Sequence, residues 1–105
     1  MPLLIAAHPK KLSAPQRRWL KARAHSLKPA VLVGEDGVHP GVLGAVTDAL
    51  ESHELIKVRL RRPEDKRGEG ESVASGCGAH LVAIVGHTLV LYRERKEEPS
   101  ITLPK

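Results

Sequence analysis

Apolar positions recur every three to four residues in two stretches of this chain and every second residue in a third, and the changes of period mark out the elements. Ser13 and Gln16 stand three residues apart behind Leu12, the form of a capping box, so the pattern predicts a first helix over about residues 13–26. At roughly 100° per residue, Leu20, Ala24 and Leu27 share one face, and Arg17, Lys21 and Lys28 form a stripe beside it. Arg18 and His25 lie further round. Pro29 stops the helix, Ala30–Val33 is a short apolar run that suits a buried strand, and Gly34-Glu35-Asp36-Gly37 supplies a turn. Pro40 fits the first position of a second helix with His39 as its cap, and Val42, Leu43, Val46, Ala49 and Leu50 repeat with helical period.

From Leu55 to Arg61 the period becomes two. Ile56, Val58 and Leu60 face one way and Lys57, Arg59 and Arg61 the other, which predicts a strand with one basic face. Residues 62–78 contain Gly68, Gly70, Gly76 and Gly78, each weakening a helix by roughly 1 kcal/mol relative to Ala, so only a short third helix near Glu69–Ser75 is expected. Leu81–Val85 and Thr88–Tyr92 are β-branched, apolar runs joined by Gly86-His87, a Gly-first pair suited to a type II′ hairpin turn. The order α-β-α-β-α-β-β predicts an α/β fold, a two-layer mixed four-stranded sheet with right-handed helical crossovers. One domain over residues 12–93 is expected, preceded by a flexible arm (1–11) and followed by a mixed-charge tail (94–105) that reads as flexible; there is no internal repeat.

Composition narrows the chemistry. With no Phe, one Trp (Trp19) and one Tyr (Tyr92), the core must come from Leu, Val, Ile and Ala, and rows of stacked aromatics are ruled out. The net charge of +5 is concentrated. Seven Lys or Arg and no Asp or Glu precede Glu35, whereas the remainder has ten basic and twelve acidic residues, so seven minus two accounts for the whole excess. A basic block on a near-neutral body suits a polyanion, because each cation that neutralises a phosphate releases a condensed counterion. Cys77 is the single cysteine, which excludes an internal disulfide and fits a reducing cytoplasm. Met1–Ala7 is apolar but too short to span a bilayer or to form a secretory leader, so no membrane association is expected.

Catalysis finds little footing. His53-Glu54 begins like a zinc-protease motif, but Lys57 stands where the second histidine belongs. The other histidines, His8, His25, His39, His80 and His87, lack ligand spacing, although His80 and His87 could meet across the hairpin. Cys77 sits between Gly76 and Gly78 with no base paired to it. A non-enzyme without cofactor, metal or small-molecule substrate is expected. The Gly34–Gly37 turn lies between a strand and a helix start, where free backbone N–H groups can meet a phosphate, but Glu35 and Asp36 oppose an anion there.

Taken in order, these segments resemble a known family over about residues 12–104: Leu12-Ser13, Leu20-Lys21, Ala24-His25-Ser26-Leu27-Lys28-Pro29, Gly34-x-x-Gly37, His53-Glu54-Leu55-Ile56-Lys57-Val58 and Val85-Gly86-x-Thr88-Leu89-Val90-Leu91-Tyr92-Arg93. The set looks like a bacterial YhbY-type protein, a stand-alone CRM (chloroplast RNA splicing and ribosome maturation) domain. The resemblance implies a fold similar to the C-terminal domain of translation initiation factor three. It also implies RNA as partner, in bacteria ribosomal RNA in precursors of the large subunit. The residues expected to hold a folded RNA element are Arg17, Arg18, Lys21, Arg23 and Lys28, joined by Lys57, Arg59 and Arg61, with Gly34 and Gly37 against the backbone. The alternative is a protein-binding assembly factor that docks its basic helix on an acidic protein.

Overall fold

The computed structural model describes residues 11–104. Apart from Lys11, the expected N-terminal arm lies outside the described residues. Helix α1 (Ala14–Ala24) starts on the capping box read from the sequence: the Gln16 backbone N–H donates to Ser13 Oγ at 3.2 Å, and the Ser13 N–H donates to Gln16 Oε1 at 2.9 Å. It ends two residues short of the expected limit, so Leu27 is 38% exposed instead of core, and Lys28 belongs to the connection that follows. Then come β1 (Pro29–Val33), α2 (Pro40–His53), β2 (Leu55–Leu60), α3 (Lys66–Cys77), β3 (His80–Val85) and β4 (Thr88–Tyr92).

The sheet order is β1-β2-β4-β3, with β1 parallel to β2 and the other neighbours antiparallel. Gly86 at φ +61° leads the β3–β4 turn while His87 keeps a negative φ, which is the geometry of a type II′ hairpin. His80 and His87 therefore sit at opposite ends of β3, and His80 stacks instead on Tyr92 with ring centroids 6.2 Å apart.

Strand alternation sorts the side chains into two clusters. Val33, Ile56, Val58, Leu60, Leu89 and Leu91 point to α2 and α3, where Val46, Leu50 and Val73 complete the larger core. On the opposite face Leu55, Val82, Val90 and Tyr92 meet Leu20 and Ala24 of α1, with Trp19 packed at the margin. The expected two layers thus describe the sheet with α2 and α3, and α1 adds a partial third layer across β2, β4 and β3.

Helix α3 is longer than the short segment its glycines suggested. Asp65 caps it by accepting the Gly68 N–H at 3.0 Å, and two of its glycines are packing residues. A Cβ on Gly70 would come within 2.9 Å of Leu89, and one on Gly76 within 3.1 Å of Leu43. Tight docking of the helix offsets the propensity lost at these positions.

The C-terminal segment also departs from expectation. Residues 94–104 do not trail away; Ile101 is buried beside Leu12, and Gln16 Nε2 donates to the Pro104 carbonyl at 3.0 Å. Glu54 organises this segment. It closes α2 at φ +64°, a region unfavourable for a residue with a side chain, and has no exposed surface. Glu54 Oε1 accepts from the Ser100 N–H (2.6 Å), Ser100 Oγ (2.8 Å) and the Ile101 N–H (3.1 Å), and Oε2 from the Arg95 N–H at 2.8 Å. Burial alone would raise its pKa, but the donors from Arg95, Ser100 and Ile101 outweigh it and hold the carboxyl below its ordinary value.

Candidate nucleic-acid interface

No carboxylate stands on α1 or on the strands, although the C-terminal segment, which packs on the α1 side through Ile101 and Leu103, carries Glu94, Glu97 and Glu98. All twelve Asp and Glu residues fall at Glu35 and Asp36, in α2, at the buried Glu54, on the approach to α3 and within it, or after Arg93. Helix α1 and all four strands contain none. The distribution follows from the fold: α2, with Asp48 and Glu51 and no Lys or Arg, stacks with the charge-balanced α3 on one side of the sheet, and the basic α1 packs with the C-terminal segment on the other.

The expected cations have two different kinds of work. Arg17 is half-buried and turns inward: Nη1 donates to the Leu81 carbonyl at 2.8 Å and lies 3.5 Å from that of Val82, at the point where the β3–β4 register shifts. Its positive charge, after burial, also lowers the pKa of His80. Lys57 Nζ donates to the His25 carbonyl at 3.1 Å, closing the C-terminal end of α1 where the helix dipole favours a cation. Arg23 lies over the Trp19 ring, 5.3 Å from its centroid. The expected stripe of Arg17, Lys21 and Lys28 is therefore broken: Arg17 braces the helix on the sheet, and Lys28 lies past the helix end.

Arg18, Lys21, Lys28, Arg59 and Arg61 are exposed, and their side chains make no hydrogen bond or ion pair among the described residues. Arg18 and Lys21 project from α1, Lys28 from the connection to β1, Arg59 from the middle of the sheet, and Arg61 from just past β2. Arg61 and the Gly34–Gly37 turn are adjacent, because the Arg61 N–H donates to the Val33 carbonyl at 3.1 Å. The turn closes through a Gly37 N–H to Gly34 carbonyl bond of 3.1 Å, with Gly37 in the left-handed region at φ +70°.

Arg62 was missed by sequence reasoning. It lies outside the alternating strand, yet it joins Arg61, Val33, Gly34, Glu35 and Gly37 in lining a depression at this end of the sheet. Glu64 and Glu69 line it as well, so Arg61 and Arg62 share the depression with three acidic residues. The start of α2 beside it is already capped, His39 Nδ1 accepting the Gly41 N–H at 3.1 Å. The turn is thus a mixed-charge border to the basic face and not its centre.

Among the described residues no group of three or more His, Cys, Asp or Glu is placed to hold a metal, and no helix is long and apolar enough to cross a membrane. Burial, reinforced by Glu94 and Glu54, pushes the Tyr92 phenol up to about 12, so it stays neutral against His80.

A mixed four-stranded sheet with α2 and α3 on one face and a basic helix on the other defines a small α/β domain with a cationic surface. The model of the CRS1/YhbY (CRM) domain matches residues 12–93, and the chain belongs to that family. It is 40% identical over 95 residues to a Bacillus subtilis (strain 168) protein named "Probable RNA-binding protein YqeI", covering 89% of this chain and 99% of the relative. It is 41% identical over 96 residues to a Haemophilus influenzae protein named "RNA-binding protein", covering 90% of this chain and 96% of the relative. The solution structure of SAV1595 from Staphylococcus aureus superposes with a TM-score of 0.78 at 33% identity, over 90% of this chain and 100% of that one.

Proposed function

We propose that this protein binds structured RNA, ribosomal RNA of large-subunit precursors, through the face that carries α1, and that it acts in large-subunit assembly without catalysing a reaction. The observation that carries this reading is the set of exposed, unpaired cations Arg18, Lys21, Lys28, Arg59 and Arg61 on a surface whose helix and strands hold no acidic residue. A polyanion wider than a single helix matches that distribution, since the cations extend from α1 across the sheet. Docking of the basic helix alone on an acidic protein would leave Arg59 and Arg61 unused, so the surface favours RNA.

Arg17, Lys57 and Arg23 support the site by holding α1, the helix end and Trp19 in place. The ribosomal target and the assembly role rest on the family's association with large-subunit precursors. Affinity for an RNA hairpin, measured by fluorescence anisotropy over a salt series, tests the binding reading: log affinity should fall linearly with log salt, by about 0.7 to 0.9 for each phosphate contacted. A flat response would remove it. Sedimentation of cell extract on a gradient tests the role, the protein being expected with large-subunit precursors and not at the top.

A further inference from the structure

Helix α1 covers only part of its face of the sheet. Beyond Lys57, one row of side chains crosses all four strands in the open: Leu32 on β1 pairs with Arg59 on β2, Arg59 with Thr88 on β4, and Thr88 with Val85 on β3. Leu32 is 62% exposed and Val85 51%, and with Leu27 they are the large apolar side chains the described surface leaves uncovered. The opposite-facing neighbours Val33, Val58, Leu60, Ile84 and Leu89 all belong to the core side, so strand pleating fixes this row outward.

We infer that this row receives an unpaired base of the bound RNA, so that the protein prefers RNA with bulged or looped nucleotides over a continuous duplex. The inference rests on the proposed RNA binding and adds to it. An intact A-form helix presents phosphates, 2′-hydroxyls and groove edges, against which Leu32 and Val85 gain nothing. An unstacked base offers an apolar face to Leu32 or Val85, a plane on which the Arg59 guanidinium stacks, and polar edges to the Thr88 hydroxyl. The charge pattern selects the same occupant. Along the strands the row lies between Lys28, which precedes β1, and Arg61, which follows β2, and no carboxylate occupies α1 or the strands. A second copy docked by this same row, or an apolar peptide, would place those cations against no carboxylate of α1 or the strands.

The test uses the full chain with two RNAs, a perfect hairpin and the same hairpin carrying a three-nucleotide bulge with 2-aminopurine at its centre. The wild type should bind the bulged RNA about tenfold more tightly, with a change in 2-aminopurine fluorescence. Leu32→Ser combined with Val85→Ser should bring the two affinities together while the perfect hairpin's affinity and salt slope stay unchanged. Leu32→Trp should widen the preference. Both positions are exposed, and a thermal melt checks that the fold is retained. Equal affinities in the wild type, or a preference that survives the double substitution, would overturn the inference and leave RNA binding standing. If the wild type binds neither RNA at low salt, the underlying reading falls with it. A dimer in sedimentation equilibrium that the double variant abolishes would assign the row to self-association instead.

Discussion

The two faces of this sheet are made by alternate residues of the same strands, yet they are finished in different ways. Toward α2 and α3, buried aliphatic side chains close most of the interface, and the polar contacts there, Cys77 Sγ to the Leu43 carbonyl and Arg93 to the Cys77 carbonyl, gather at Cys77. Toward α1, the contact is smaller and is braced by directed polar groups: Arg17 on the carbonyls of β3, Lys57 on the end of α1, and the C-terminal segment drawn in by Glu54. A core made by area can cover a whole face. A face held by a few directed bonds can leave one end of the sheet open, and that is where Arg59, Arg61 and the Leu32–Val85 row are found.

Substitutions break this comparison in graded steps. Leu89→Ala, on the fully buried side, should cost about 2–5 kcal/mol in urea denaturation, whereas Leu32→Ala on the same sheet should change stability by no more than about 0.5 kcal/mol. Similar losses at both positions would erase the distinction between the faces.

Glu54→Gln should come next, at about 1–3 kcal/mol, because an amide NH2 would meet backbone donors that now point at a carboxylate. The pH dependence has a definite sign. A folded-state pKa held below the ordinary 4.5 means that Glu54 contributes stability fully present above that value and lost as pH falls through the lower folded value. The stability of the wild type should therefore drop in that acid range, and the Glu54→Gln protein should show a shallower fall in the same melts.

The two kinds of cation separate by a smaller margin. Arg17→Ala and Lys57→Ala should each lower stability by about 1 kcal/mol through lost hydrogen bonds. Arg18, Lys21 and Lys28 changed together to Ala should leave the melt within about 0.5 kcal/mol of wild type while weakening every RNA by a similar factor and flattening the salt slope. A triple variant that binds as the wild type does would exclude α1 from the interface. The slightest effect is expected at the mixed-charge border: Glu35→Lys with Asp36→Lys should tighten RNA binding modestly, as two repulsive charges become attractive. Unchanged affinity would put that turn beyond reach of the RNA.

Local signals in the sequence were read correctly where the determinant is local. The Ser13–Gln16 box, His39 ahead of Pro40, the alternation after Leu55 and the Gly86 turn each act through neighbours a few residues away, and the elements appear where those residues place them. Local reasoning failed where a partner is distant in the chain. The glycines of α3 read as helix breakers because Leu89 and Leu43, which pack against them, are nowhere near in sequence. Arg17 occupies a plausible position in a basic stripe, and only the register shift of β3 reveals carbonyls for it to satisfy. Glu54 looked like the remnant of a failed metal motif, when its partners lie more than forty residues onward. For the candidate site, residue type and charge were legible, but which cations are free and which are committed depended on tertiary contacts.

The Glu54 clasp carries a lesson about where this module ends. The match to the family model ends at Arg93, and severing the chain there would leave that match whole. It would remove the N–H groups of Arg95, Ser100 and Ile101 and strand an ionised carboxylate that folding has already taken out of water. The thermodynamic border therefore lies several residues beyond the end of that match. Anyone splicing this unit into a longer polypeptide has to carry those residues along, or supply other donors in their place.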